Sequence, residues 1–486
     1  MKVLVIQLAR FGDIYQTWPC LNALKRERPE AEIHLLVRET FKEATEGLTS
    51  VSRVLSLNTQ DLLAPVLVEK NQTEASVEKA EKFLATLRQE AYDVIVNLSY
   101  SRTSAFIVKA VKSNKAICMG YDMHSSGALF PADDVAAYFM ANVGVGKANR
   151  IHLTDLFAMQ MGVNLNLEDF AAPTKFIEKT KFAIERNSVA IHIGASQSFK
   201  TLSPEKWSMI IRELGVRGIE QVVLIGSKAE ILVSQKITNS VSQVKVLNLV
   251  GQGALLNVFA VLRDVQALIC GDSAIMQMAS LCGVKTLNLS AEGVSYKETG
   301  PRAPSSIVLP YKNQEEVSAA IVARKCAALV GGIVQADEIQ TVWSIPSYVN
   351  ISETPSEKFR WELVAALYFE GAYPLIENVN TYQAFAQFRA INEMQIQQLN
   401  MIRQRKDLAQ VEVNRNLLAK MDQTCEILCQ KAIEVQPLWD WIKIERTRLD
   451  SHDHQVLAMG QLEIHKKIEK VLRLYSLENE QELVGG

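Results

Sequence analysis

The chain opens on a short β-branched run, Lys2–Leu8, followed by a helical pattern over Ile14–Arg28 that Pro29 ends. Glu32–Val37 and Val54–Leu57 predict strands, Val66–Glu90 one long polar helix, Tyr92–Leu98 a strand and Ser104–Val111 a helix. Strands alternating with amphipathic helices predict a parallel sheet covered on both faces. After a linker near Ala171–Lys181, which carries Pro173 and several charges, the pattern restarts. Strands are predicted at Ser188–Ile193, Gln221–Ile225, Ala267–Cys270 and Thr286–Leu289, and helices at Pro204–Leu214, Leu255–Arg263 and Ile275–Leu281. Ser203 is placed as the cap of the first of these helices, with Pro204 at its first position. Two successive α/β units follow, each of about 150 residues, the usual size of a domain. From about Gln340 the pattern changes. No Gly or Pro occurs between Pro374 and Pro437, and Leu418, Met421, Cys425, Leu428 and Ala432 mark one helical stripe. Ile464, Ile468, Val471 and Tyr475 mark another, a break is expected at Pro437, and Val484–Gly486 should fray. The expected division is 1–175, 176–335 and a helical extension, 336–486.

Composition narrows the function classes. A chain of 486 residues exceeds one ordinary core. With 48% hydrophobic and 22% charged residues it reads as a soluble globular protein, and a formal net charge of −2 argues against nucleic acid as partner. The seven cysteines stand singly, without a CxxC pair or a metal-ligand spacing, which suits a reducing compartment. The apolar opening is broken at Gln7 and Arg10, too early for a signal peptide. No stretch approaches the ~20 apolar residues of a membrane span. A cytoplasmic protein is expected, with contact to a membrane surface left open.

Three strand-to-helix turns carry candidate chemistry. In Arg10-Phe11-Gly12-Asp13, Gly12 permits a tight turn and Asp13 sits at the mouth of the sheet, where a carboxylate can serve as general base. Asp13 with Gln16 also matches a helix capping box, and on local sequence the cap is the commoner outcome. In His192–Lys200, Ser196, Ser198 and Lys200 offer hydroxyls and a point charge suited to a diphosphate, although such a lysine is usually solvated and His192 can be a core residue. In Cys270-Gly271-Asp272-Ser273-Ala274, a helix N-terminus offers backbone N–H groups to phosphate, with capping by Asp272 or Ser273 as the alternative. Gly226-Ser227-Lys228 is a similar turn. Gly251-Gln252-Gly253 lacks the third glycine of a dinucleotide fingerprint. Asp133-Asp134 reads as a solvated loop, and His452, Asp453 and His454 as surface residues.

In this order the three turns resemble the family 9 glycosyltransferases, the lipopolysaccharide heptosyltransferases, over roughly residues 1–310. The opening strand with its Gly-Asp loop, Tyr92–Leu98 with Arg102, Val189–Trp207 with Lys200, Pro204 and Trp207, and Ile269–Gly283 carry the resemblance. Asn97 stands where the family often has Asp, Ala274 where Gly is common and Gln277 where His is common.

The resemblance implies a GT-B fold, two facing Rossmann-like domains, here with an all-α C-terminal extension. It implies an inverting transferase without a metal or cofactor, with a nucleotide-sugar donor, ADP-heptose or a related hexose nucleotide. Asp13 would be the general base and Lys200 would neutralise the leaving diphosphate. Gly12, Ser196, Ser198, Gly226, Gly271, Asp272, Ser273, Ala274 and Gln277 would surround the donor, with Asp272 shaping the turn. Arg10 and Arg102 would lie on the acceptor side. The acceptor is a saccharide or a protein, and the added helices could dock a protein partner, self-associate or simply pack. The competing expectations are a GT-B-fold scaffold that has lost its chemistry, to which Ala274 and Gln277 lend support, and a two-lobed sugar epimerase.

Overall fold

The computed structural model describes residues 1–68, 72–173, 183–195, 197–333, 335, 337–404 and 407–475. Its strands are β1 (Lys2–Ile6), β2 (Glu32–Arg38), β3 (Arg53–Leu57), β4 (Val94–Asn97), β5 (Ile117–Met123), β6 (Leu129–Pro131), β7 (Ser188–His192), β8 (Gln221–Ile225), β9 (Lys245–Asn248), β10 (Ala267–Cys270), β11 (Thr286–Ala291), β12 (Ile307–Tyr311), β13 (Ile339–Thr341) and β14 (Tyr348–Val349). One sheet runs β3-β2-β1-β4-β5-β6 and the other β14-β13-β12-β11-β10-β7-β8-β9. In each, the first strand of its half lies between the second and the fourth, the doubly wound order that leaves a crevice at the reversal point. The register sets that crevice. His192 pairs with Cys270 in parallel, so the chains leaving β7 and β10 emerge together at one sheet edge. Ile6 pairs with Asn97 in the same way in the first sheet.

These strands are nearly continuous apolar runs because both faces are covered. Val189, Ile191, Leu224 and Ile269 are fully enclosed in the second core, packed with Trp207 and Leu214 of the helix Pro204–Val216. That helix begins as its sequence predicts, with the Ser203 hydroxyl accepting the Lys206 N–H at 3.2 Å.

Other elements depart from expectation. The pattern over Val66–Glu90 is two helices, Thr59–Leu67 and Thr73–Gln89. The Asn58 side chain accepts the Asp61 N–H and starts the first helix earlier than periodicity suggested. The first helix of the chain spans Phe11–Glu27, so Asp13 stands in its third position rather than at its cap. The expected linker 171–181 lies outside the described residues from 174 onward, as do Val484–Gly486. Past Gln340 the chain first adds the antiparallel pair β13 and β14 to the second sheet, and helix begins only at Pro355.

Two compact units result. The first comprises Met1–Ser99, Ala110–Cys118 and Arg150–Ile351. Within it Tyr15 and Trp18, on the helix Phe11–Glu27, meet Phe259 of the helix Leu255–Asp264 at ring-centroid distances of 5.7 and 5.8 Å. The second unit comprises Tyr100–Lys109, Met119–Asn149 and the helices beyond Ser352. Its sequence stripes are core. Cys425, Leu428, Ile464 and Ile468 are buried with Phe388 and Trp439, whereas Leu418 joins a smaller cluster with Leu399 and Leu462. The stripes are therefore core within this unit, the outcome sequence favoured over a docking face. Pro437 occupies the first turn of the helix Gln436–Thr447, where its missing N–H costs nothing. Among the described residues, no helix is long and apolar enough to cross a membrane.

Candidate active site

A cleft of about 1110 Å³ lies within the first unit and collects the loops of both sheets. From the first sheet come Arg10, Gly12, Asp13 and Gln16, with Phe41 and Glu43 beyond β2. The turn after β1 is short, and the helix begins at once. Asp13 Oδ2 accepts the Arg10 N–H at 3.0 Å, and the Asp13 carbonyl accepts the Thr17 hydroxyl at 2.8 Å. Asp13 is thus the third-position carboxylate of a capping box begun by Arg10, not a cap paired with Gln16; that bond occupies one of its two oxygens and leaves the other for a base. Burial pushes the Asp13 carboxyl above the usual carboxylate range, and the nearby Asp272 charge adds to this. The Arg10 N–H and guanidinium pull the other way.

The second sheet supplies the opposite side. Lys200 ends the short turn Ser198–Lys200, and its Nζ donates to Asp272 Oδ2 at 2.9 Å. Asp272 therefore pairs with the lysine, whereas sequence had assigned it to shaping or capping the turn. Gly271 permits this closeness, because a Cβ there would stand 3.2 Å from the Lys200 carbonyl oxygen. Ser273 occupies the cap position of the helix Ala274–Leu281, yet its side chain makes no capping bond and its hydroxyl is buried without a partner. Ser273 and Ala274 line the cleft at the start of that helix, where unpaired backbone N–H groups suit an anion.

Of the residues expected from sequence, Arg10, Gly12, Asp13, Lys200, Gly226, Asp272, Ser273, Ala274 and Gln277 line this cleft. Gly271 lies behind it, against Lys200. Ser196 falls outside the described residues, and Ser198 opens the short turn that carries Lys200. Arg102 belongs to the second unit, where it begins the helix Arg102–Val111 and donates to the Gly127 carbonyl at 3.4 Å. Gln277 donates through Nε2 to the Thr299 carbonyl at 2.6 Å.

Other contributors were missed or set aside. Glu230 lines the cleft and takes the N–H and hydroxyl of Ser227 at 2.6 and 2.7 Å. The spacing Ser227-Lys-Ala-Glu230 is a capping box that sequence could have disclosed. Gly194 packs so closely that a Cβ would stand 2.9 Å from the Glu230 carboxyl carbon. Gly251-Gln252-Gly253 does occupy a strand–turn–helix context, between β9 and the helix Leu255–Asp264, and lines the cleft. His192 also lines it. Burial lowers its imidazole to about 4 against the opposing pull of Glu230, and Nδ1 has no partner.

Metal-type residues gather elsewhere for other reasons. The trio Glu32, His34 and Glu90 has ligand atoms close together, but the His34 nitrogens meet Tyr92 and Glu32 while Glu90 pairs with Lys2 and Arg53. Asp133 caps the helix Asp134–Asn142, Asp134 pairs with Arg448, and Asp453 caps the helix His454–Arg473.

The model of glycosyltransferase family 9 (heptosyltransferase) matches residues 80–325. Lipopolysaccharide heptosyltransferase 3 of Escherichia coli is 25% identical over 284 residues, covering 57% of this chain and 80% of that protein. Two solved structures share the two-sheet fold. E. coli ADP-heptose lipopolysaccharide heptosyltransferase II matches with a TM-score of 0.51 and 16% identity, covering 68% of this chain and 99% of that one. E. coli heptosyltransferase WaaC with ADP matches with a TM-score of 0.50 and 15% identity, covering 68% and 100%.

Proposed function

Since the chain belongs to glycosyltransferase family 9, whose chemistry is sugar transfer, we propose that it moves a sugar, heptose in the first instance, from an ADP-linked donor to a hydroxyl of a saccharide or protein acceptor. One observation carries this reading. Asp13 from the first sheet and Lys200, Asp272 and Ser273 from the second line a single cleft.

Asp13 takes the proton of the acceptor hydroxyl as that oxygen attacks the anomeric carbon. The bond from that carbon to the diphosphate breaks on the opposite face, which inverts the configuration. The departing nucleoside diphosphate carries the developing charge. Lys200 and the N–H groups at Ser273 and Ala274 receive it, and such fixed donors stabilise the transition state more than the ground state. This set supplies the positive charge from the protein itself, which supports a reaction that needs no metal. The lobes of the reaction are proposed as residues 1–175 for the acceptor and 176–335 for the donor. Arg10, exposed at the cleft mouth, suits an anionic acceptor group.

Lys200 is paired with Asp272. A diphosphate must compete for that ammonium, and Asp272 then keeps it aimed. Calorimetric titration of the whole protein with ADP, ADP-heptose, UDP and GDP tests the reading. Binding of ADP and ADP-heptose, weakened by roughly a hundredfold in Lys200→Ala, is expected. Binding of none of the four would favour a scaffold that has kept the fold and lost its ligand.

A further inference from the structure

The segment Thr299–Arg302 is held at every residue by a side chain. The Thr299 carbonyl accepts from Gln277 Nε2 at 2.6 Å, and the Gly300 carbonyl meets His152 Nε2 at 3.0 Å. The Pro301 carbonyl accepts from the Thr341 and Tyr348 hydroxyls at 3.1 and 2.9 Å. The Arg302 N–H donates to the Ser280 hydroxyl at 2.9 Å. Gln277 and Ser280 are three apart on one helix, hence on one face, and they grip both ends of the segment.

Arg302 continues the chain of contacts. Its guanidinium donates to Asp155 Oδ1 at 3.0 Å, and the Ser347 hydroxyl donates to Asp155 Oδ2 at 2.8 Å. Both charged side chains are about 95% buried or more. Asp155 lies on the helix Leu153–Met161, before the second sheet begins, whereas Gln277 stands on the helix that follows β10. Removing either partner of such a buried ion pair would strand the other charge.

Gln277 is itself 5% exposed and lines the cleft. A carbonyl oxygen only accepts, so the Thr299 contact fixes which end of the amide is NH₂. Gln277 Oε1 is left without a partner among the described residues, and it is not sealed from solvent. Position 277 thus offers an uncharged acceptor that carries no proton at any working pH.

On the reading of the cleft as a nucleotide-sugar site, we propose that Asp155 and Arg302 are positioning residues that hold the Thr299 carbonyl in place, so that Gln277 Oε1 accepts a hydroxyl of the donor's glycosyl group. The sugar must then present a hydroxyl proton there. ADP, lacking the sugar, does not sense this group.

Titration of the full chain with ADP and with ADP-heptose separates these claims. Gln277→Met should weaken ADP-heptose about tenfold and ADP by less than about twofold. Asp155→Asn, which keeps shape but removes the charge, should produce the same selective loss, by about threefold to tenfold. In the double variant the losses should not add, because both act on one contact. Ser347→Ala, which leaves the ion pair intact, keeps the test available if Asp155→Asn does not fold, and it should show a smaller loss of the same kind. Equal losses for ADP and ADP-heptose would make Asp155 merely structural and overturn the inference, as would additive losses or unchanged selectivity. Wild-type protein that binds neither ligand would instead overturn the reading of the cleft itself.

Discussion

Asp13 shows how one side chain can serve the fold and the reaction together. Its capping bond to Arg10 fixes the carboxylate at the start of a helix, and burial raises its proton affinity. A general base works as the carboxylate, so turnover should fall as pH drops through this raised value. The acid limb of a pH–rate profile should therefore lie above the ordinary range near about 4. A limb at the ordinary value would mean that another group sets it. That Asp13 and Lys200 share a cleft was legible only through the ordered resemblance, because each residue alone reads as a cap or a solvated lysine. Lys200 was not solvated, and its partner Asp272 lies 72 residues on in sequence, a pairing that depends on the β7–β10 register. Glu230 was legible locally, yet capping boxes are common and nothing in sequence marked this one as cleft-lining.

Elements with strong local signals were read closely. β8 and β10 match their predicted spans because both are short apolar runs closed by glycine. The cap at Ser203 rests on a side chain, a proline and an apolar face that all agree, and Ser203→Ala should cost about 1 kcal/mol in denaturant unfolding. No change would mean that the cap contributes nothing here. The strands β5, β6, β9, β12, β13 and β14 were missed. They are short or mixed in polarity, and β13 and β14 exist only because β12 offers an edge to pair with. The helical stripes were read correctly as periodic, but period alone does not tell a docking face from a core. Phe385, Phe388 and Trp439 fill the space against Cys425 and Leu428.

At the scale of the molecule, buried imidazoles tie stability to pH in both units. Burial holds His192 at about 4 and His152 and His465 at about 3, all below the ordinary value near about 6.5. The unfolded chain thus takes up protons below about 6.5 that the folded chain refuses, and stability falls as pH drops through that window. Asp13 and Asp155, both raised by burial, act in the opposite sense at the acid end. Net destabilisation between pH 7 and 5, at most about 1.4 kcal/mol per pH unit for each histidine, should appear in unfolding curves. A flat profile would show that these rings are not held neutral. The two units also dictate how the helices are to be studied. Asp440 and Arg448 pair with Lys147 and Asp134 inside the second unit. Removing everything after Ile351 would strip those partners and confound a test of docking.

The central claim is sugar transfer with Asp13 as base. Its most direct test is release of ADP from ADP-heptose by the whole protein, with a lipopolysaccharide-core saccharide as acceptor, in wild type and Asp13→Asn. The account predicts acceptor-dependent release by wild type. In Asp13→Asn, turnover should fall by about a thousandfold while ADP-heptose still binds. Equal turnover in the two proteins would contradict it.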